Sequence, residues 1–173
     1  VYETRRSCKG KEAVKKRMKY IVQRIKASME DGMKGDNQLI GGLCTGNDGS
    51  MMDIYGDIGG NIVGRTFSKG IARALALAEI NASGGLIVAA PTAGSAGVVP
   101  GVLFTTGERL KKNIDEVTDA FLVSAIIGVI IGNTATFSGS TGGCQGEIGV
   151  ASAMAAAGCG YLAGGSYETV THA

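Results

Sequence analysis

The residues best placed to do chemistry in this 173-residue chain cluster in one polar, glycine-dense stretch, Ser138-Gly139-Ser140-Thr141-Gly142-Gly143-Cys144-Gln145-Gly146-Glu147. Cys144 stands where the glycine loop gives way to a small-residue segment with helical spacing. A thiol near a helix N-terminus has its thiolate favoured by the positive end of the helix dipole. Thiolates bind metals and attack electrophiles. The two glycines before Cys144 can take backbone angles closed to other residues and leave room for an approach to the main chain. Glu147, three residues on, falls on about the same helix face and can orient such a site, cap the helix or form an ion pair. Free cysteine is also among the most buried residue types. On spacing alone, packing is the favoured account of Cys144.

A second stretch, Pro91-Thr92-Ala93-Gly94-Ser95-Ala96-Gly97-Val98-Val99-Pro100-Gly101, alternates small hydroxyls with glycine and alanine. Main-chain N–H groups near Gly94 and Gly97 and the hydroxyls of Thr92 and Ser95 could converge on a carboxylate or phosphate. A tight connection accounts for the same residues. The loop from Gln38 to Gly49 has the glycines of an anion-holding turn, but the GxxxxGK[ST] phosphate loop is absent throughout. His172, the single histidine, sits at the C-terminal end and reads as a surface residue.

The elements that must position these residues are helical. Val14, Met18, Ile21, Val22, Ile25 and Met29 form one apolar face of a helix from about Lys11 to Asp31, with lysines and arginines on the others. Ser68 is expected to cap a second helix running to about Asn81, with Ile71, Ala74, Leu75, Ala78 and Glu79 in register. Asp115 is expected to cap a third, apolar nearly all round from Phe121 and therefore central and buried. A fourth follows Cys144 through Ile148, Ala151, Met154 and Ala155, and a last one begins near Ser166. Residues 51–64 are too glycine-broken to assign, and Leu86–Ala90 fits a buried strand or a buried helix start equally well. The fold expected is mainly α: a multi-helix single domain, residues 1–173, with buried central helices and glycine-rich pocket loops.

Composition narrows the function. With 45% hydrophobic and 18% charged residues the chain is globular. A net charge of +2 gives no nucleic-acid footprint. The longest apolar run, Ala120 to Gly132, is too short to span a bilayer. Cys8, Cys44, Cys144 and Cys159 include no CxxC pair, so no self-contained zinc knuckle is present. With no secretory leader read at its start, the chain is expected to be cytoplasmic and free of a disulfide framework.

Three stretches together resemble the α subunit, or α domain, of bacterial iron–sulfur-dependent L-serine dehydratase. They are Glu79-Ile80-Asn81-Ala82 running into Ile87–Gly97; Ser138-Gly139 with Gly143-Cys144-Gln145-Gly146-Glu147-Ile148-Gly149; and Met154-Ala155-Ala156-Ala157-Gly158. Gly42-Leu43-Cys44-Thr45-Gly46 is a looser match. The resemblance implies an all-helical catalytic domain with a [4Fe–4S] cluster on three cysteines and one iron open to substrate. Cys144 matches the first of those cysteines; the other two lie in motifs downstream of Ala173. Cys8, Cys44 and Cys159 match no cluster position, and Cys44 replaces the residue usual in the family. The chain is thus read as a fragment lacking part of the N-terminal region and the cluster-completing C-terminal portion, expected alone to hold no stable cluster and to have little activity.

In the intact protein the resemblance implies deamination of L-serine. The open iron acts as a Lewis acid on the hydroxyl, a base removes the α-proton, and the aminoacrylate goes on to pyruvate and ammonia. No PLP is implied. Thr92, Ser95 and the amides near Gly94 and Gly97 become candidates for the substrate carboxylate, with Ser138, Gly139 and Asn81 as further polar groups of the pocket. No α-proton base is identifiable, and in the family it can come from a β subunit or β domain. A β partner and an oligomer are implied; nucleic acid and membrane are not. A related iron–sulfur desulfidase or other small amino-acid dehydratase shares the same motifs, and a non-catalytic helical subunit remains a third reading.

Overall fold

Alanine and glycine, more than large side chains, set how the helices of this protein approach one another. The computed structural model describes residues 2–173. Among them are eight helices: α1 (Tyr2–Ser7), α2 (Lys11–Gly32), α3 (Asp48–Asp57), α4 (Arg65–Ala82), α5 (Val98–Arg109), α6 (Ile114–Gly132), α7 (Gly139–Leu162) and α8 (Tyr167–His172). The only β pairing among the described residues is an isolated bridge between Asn37 and Gly46. The mainly helical fold expected from the sequence is therefore the one observed.

Helix α4 is the hub. Its run of alanines presents bare backbone, and α2, α3 and α5 all pack on it. Each approaches through glycine: a Cβ added at Gly32 would lie 2.4 Å from the Ala76 carbonyl oxygen, one at Gly49 2.8 Å from the Ala76 nitrogen, and one at Gly97 2.3 Å from the Ala74 carbonyl oxygen. Contacts this short leave no space for a methyl group. The buried row of α4 is Ser68, Ala72, Ala76, Leu77, Glu79 and Ile80, which corrects the expected row. Ala78 faces solvent. Ser68 is not the cap: the helix starts earlier, after Gly64, and the Ser68 hydroxyl donates to the Gly64 carbonyl at 3.0 Å.

Helix α5, which the sequence reading did not assign, is the most enclosed, burying Val99, Pro100, Leu103, Phe104 and Thr105. Pro100 lies in its first turn, where no intrahelical N–H is required. Leu103 is fully buried, and the Phe104 and Phe121 rings meet at 5.6 Å between centroids. Helix α2 contributes Val22, Ile25 and Met29 to the same core, on the face its periodicity predicts. Helix α6 is less central than expected: it packs on α2, α5 and α7, but Val129 and Ile130 are exposed. Its cap is Asn113, not Asp115. The Asn113 side chain accepts from the amides of Asp115 and Glu116, and Glu116 accepts from the Asn113 amide in return. Residues 86–90 form neither strand nor helix, though Val88 and Ala90 pack against the core.

Residues 51–64, left unassigned, include most of α3. That helix has no side-chain cap of its own. Glu79 of α4 takes over the role, accepting from the amides of Asp48 and Gly49 and from the Asn37 side chain. At 4% exposure this carboxylate is buried among its donors, and it fixes α3 to α4.

Candidate active site

Two loops meet beside α7. Helix α7 is interrupted at Gly143, whose φ of 71° and ψ of 175° lie in a region open essentially to glycine. The space around it is empty, so backbone angle and not crowding selects the residue. One turn, Gly139–Gly142, precedes the break, and Cys144 opens the long segment after it. Cys144 is exposed, so the packing alternative for it does not hold. Downstream, Val150, Ala151, Met154, Ala155, Ala157 and Gly158 face the core, while Ile148 stays exposed.

Glu147 lies one turn beyond Cys144, about 4.5 Å further along the axis. Its carboxylate reaches across to the other loop. A Cβ placed on Gly94 would stand 3.3 Å from Glu147 Oε2, and one on Gly139 only 2.7 Å from the same atom. Glycine at both positions therefore makes room for this carboxylate. On the far side, the Asn81 side-chain amide donates to the Ala93 carbonyl at 3.3 Å and ties the loop to the end of α4. Asn81, Gly94, Gly139, Glu147 and, one turn away, Cys144 thus come together from three segments distant in sequence.

The remaining candidates divide. Ser95 is almost completely buried, and its hydroxyl lies 2.9 Å from that of Thr92 and 3.3 Å from the Ala90 carbonyl. It holds the turn together. Gly97 is filled from behind by α4. The half-buried Thr92 and exposed Gly94 are the loop's accessible members. Ser138 is half-buried, with its hydroxyl 2.8 Å from that of Ser140. Ser140 completes a hydroxyl pair the sequence reading passed over, although its spacing from Ser138 was available. His172 is exposed in the last turn of α8, as expected. Cys159 pairs with the Thr106 hydroxyl at 3.1 Å, and Cys8 and Cys44 are exposed in other parts of the chain. Two clefts of about 530 and 560 Å³ lie elsewhere, one beside Arg73 and Lys112 and one beside Phe67 and Thr105, and none of the candidate residues lines them.

The donor set does not fit an iron–sulfur cluster by itself. Such clusters are held by several cysteine thiolates, and the described residues contain no group of three or more Cys, His, Asp or Glu able to hold a metal. Cys144 is the one thiol at this site.

The model of the serine dehydratase alpha chain family matches residues 1–173, and the chain belongs to that family. It is 36% identical over 160 residues to a protein of Bacillus subtilis (strain 168) named probable L-serine dehydratase, alpha chain, covering 92% of this chain and 53% of that one. To the L-serine dehydratase alpha chain of Peptoniphilus asaccharolyticus it is 45% identical over 119 residues, 69% of this chain and 41% of the relative. To L-serine dehydratase 1 of Escherichia coli (strain K12) it is 46% identical over 98 residues, 56% and 22% respectively. The chain spans about half the length of the first two relatives or less. No solved structure matches it significantly. Among the described residues no helix is long and apolar enough to cross a membrane.

Proposed function

We propose that these residues form the substrate-gripping part of an L-serine dehydratase that releases pyruvate and ammonia from L-serine in the cytoplasm. The observation carrying this reading is the meeting of loop 91–97 with the start of α7 around Glu147 and Cys144, in a chain of the serine dehydratase alpha chain family. The hydroxyls of the half-buried Thr92 and Ser138 and of the exposed Ser140 are neutral donors suited to an amino acid's carboxylate. Asn81 and Ser95 keep the loop in the shape that offers them. In the net reaction the substrate loses its α-proton and its β-hydroxyl as water, and the resulting enamine tautomerises and is hydrolysed. Cys144 is one thiolate ligand of a [4Fe–4S] cluster whose other ligands come from outside these residues, as does the α-proton base. A β subunit or β domain is the partner that completes the site.

The test is pyruvate release by the intact enzyme supplied in turn with L-serine, L-threonine and L-cysteine. Release from L-serine, abolished by Cys144→Ser, is the expected outcome. Preferential release of pyruvate and sulfide from L-cysteine would replace this reading with that of a desulfidase.

A further inference from the structure

Glu147 is the sole charged residue between Asp119 and Glu168, and the loop it touches lies in a stretch, Ile80 to Gly107, with no charge at all. Several other carboxylates of this protein have donors of their own. Glu79 is surrounded by three donors, Glu108 by Arg73 and Lys69, and Glu116 by Lys112 and an amide. Glu147 is half-buried against two glycines, yet among the described residues it has neither a hydrogen-bond donor nor an ion-pair partner. Neither of its oxygens is sealed from solvent, so the carboxylate is open to a counter-charge supplied from outside the chain. A metal ion would need more ligands than this site offers, whereas a single ammonium group needs only a carboxylate and neutral acceptors beside it.

We propose that the Glu147 carboxylate anchors the α-ammonium group of the amino-acid substrate. This rests on the functional reading above and sharpens it, because the negative charge beside Gly94 moves the substrate carboxylate away from that end of the loop, towards the hydroxyls of Thr92, Ser138 and Ser140. The site then reads both ends of an α-amino acid: neutral donors for the carboxylate, one fixed negative charge for the ammonium. It also explains why residues 94 and 139 are glycine, since a methyl at either would press on the carboxylate.

The experiment compares L-serine with 3-hydroxypropionate, the same molecule without its ammonium group, on the intact enzyme. In E147Q the KM for L-serine should rise about 10- to 100-fold, the range lost when a hydrogen bond to a charged group is removed. The inhibition constant of 3-hydroxypropionate should stay the same or fall. E147D, which keeps the charge on a shorter stem, should give a smaller rise in KM with 3-hydroxypropionate again unaffected, and it serves if the glutamine variant fails to fold. A parallel rise for both compounds would mark Glu147 as structural and overturn the proposal. So would a fall in kcat with KM unchanged, the signature of a base, or no change at all. Wild-type enzyme that releases no pyruvate from L-serine would instead sink the underlying functional reading, and the anchor with it.

Discussion

The glycines of this protein divide between two regions that use the residue in opposite ways. On α4, glycine closes space: Gly32, Gly49, Gly97 and Gly101 each let a backbone or side chain lie where a methyl would stand, with contacts under 3 Å. At the break in α7, glycine opens it. Gly143 has nothing within 4 Å of its missing Cβ, and the side chains beside it, Cys144 and Glu147, have no hydrogen-bond or ion-pair partner among the described residues. The first region trades side-chain burial for close backbone approach. The second keeps chemically capable groups unsatisfied, the condition under which they can take a ligand.

Substitutions can break that contrast if it is wrong. In the open region, if Cys144 is the cluster ligand proposed, Cys144→Ser should reduce pyruvate release by the intact enzyme to background and remove a visible cluster absorbance. A fully active serine variant would remove Cys144 from the site. In the closed region the effect falls on stability. Leu103→Ala should cost about 2–5 kcal/mol in urea unfolding, and Gly97→Ala about 1–3 kcal/mol from overpacking against Ala74. Neutral behaviour of Gly97→Ala would mean that α5 can move off α4.

Smaller effects sharpen the boundary between the regions. Glu79→Ala, which strands the amides of Asp48 and Gly49, should destabilise by about 1–3 kcal/mol, and proteolysis should then begin in α3. Gly143→Ala meets no obstacle but must strain the backbone by about 1–3 kcal/mol. It should lower turnover more than stability, by re-aiming Cys144. Least of all is a pH effect on the outer ion pairs. Arg73, then Lys69, hold the Glu108 carboxyl below its ordinary value of 4.5; Lys19 does the same for Asp115. Groups depressed in this way stabilise the fold above the unfolded carboxyl range and lose that contribution as pH falls through their folded values. The urea midpoint should therefore be flat from about pH 7 to 5 on their account and decline below about pH 4. The decline should be weaker in high salt.

Much of this architecture was legible where a helix carries its own signal. The bounds of α2 follow from its apolar stripe to within a residue. The segment after Cys144 and the start of α8 near Ser166 were equally readable. Helices α3 and α5 were not, because Gly49, Gly56, Gly101 and Gly107 depress helix propensity and neighbouring elements hold the helices in place. Asp115 was mistaken for a cap since Asn113, two residues earlier, is as good a capping residue and has Glu116 at the right offset. At the site, the motifs named Cys144, Thr92 and Gly94 but could not show that Ser95 is spent inside its own turn. Nor could they show that Glu147 reaches Gly94 across more than fifty residues of sequence.

The packing of α2, α3 and α5 on α4 also changes what a routine mutational survey would report. Alanine scanning is meant to subtract contacts and leave the main chain alone. At Gly32, Gly49, Gly97 and Gly101 the same substitution adds an atom where backbone already stands. On the alanine face of α4 the scan has nothing to remove. A survey of that kind would record this interface as blank along one helix and intolerant along its three neighbours, although it is a single surface seen from its two sides.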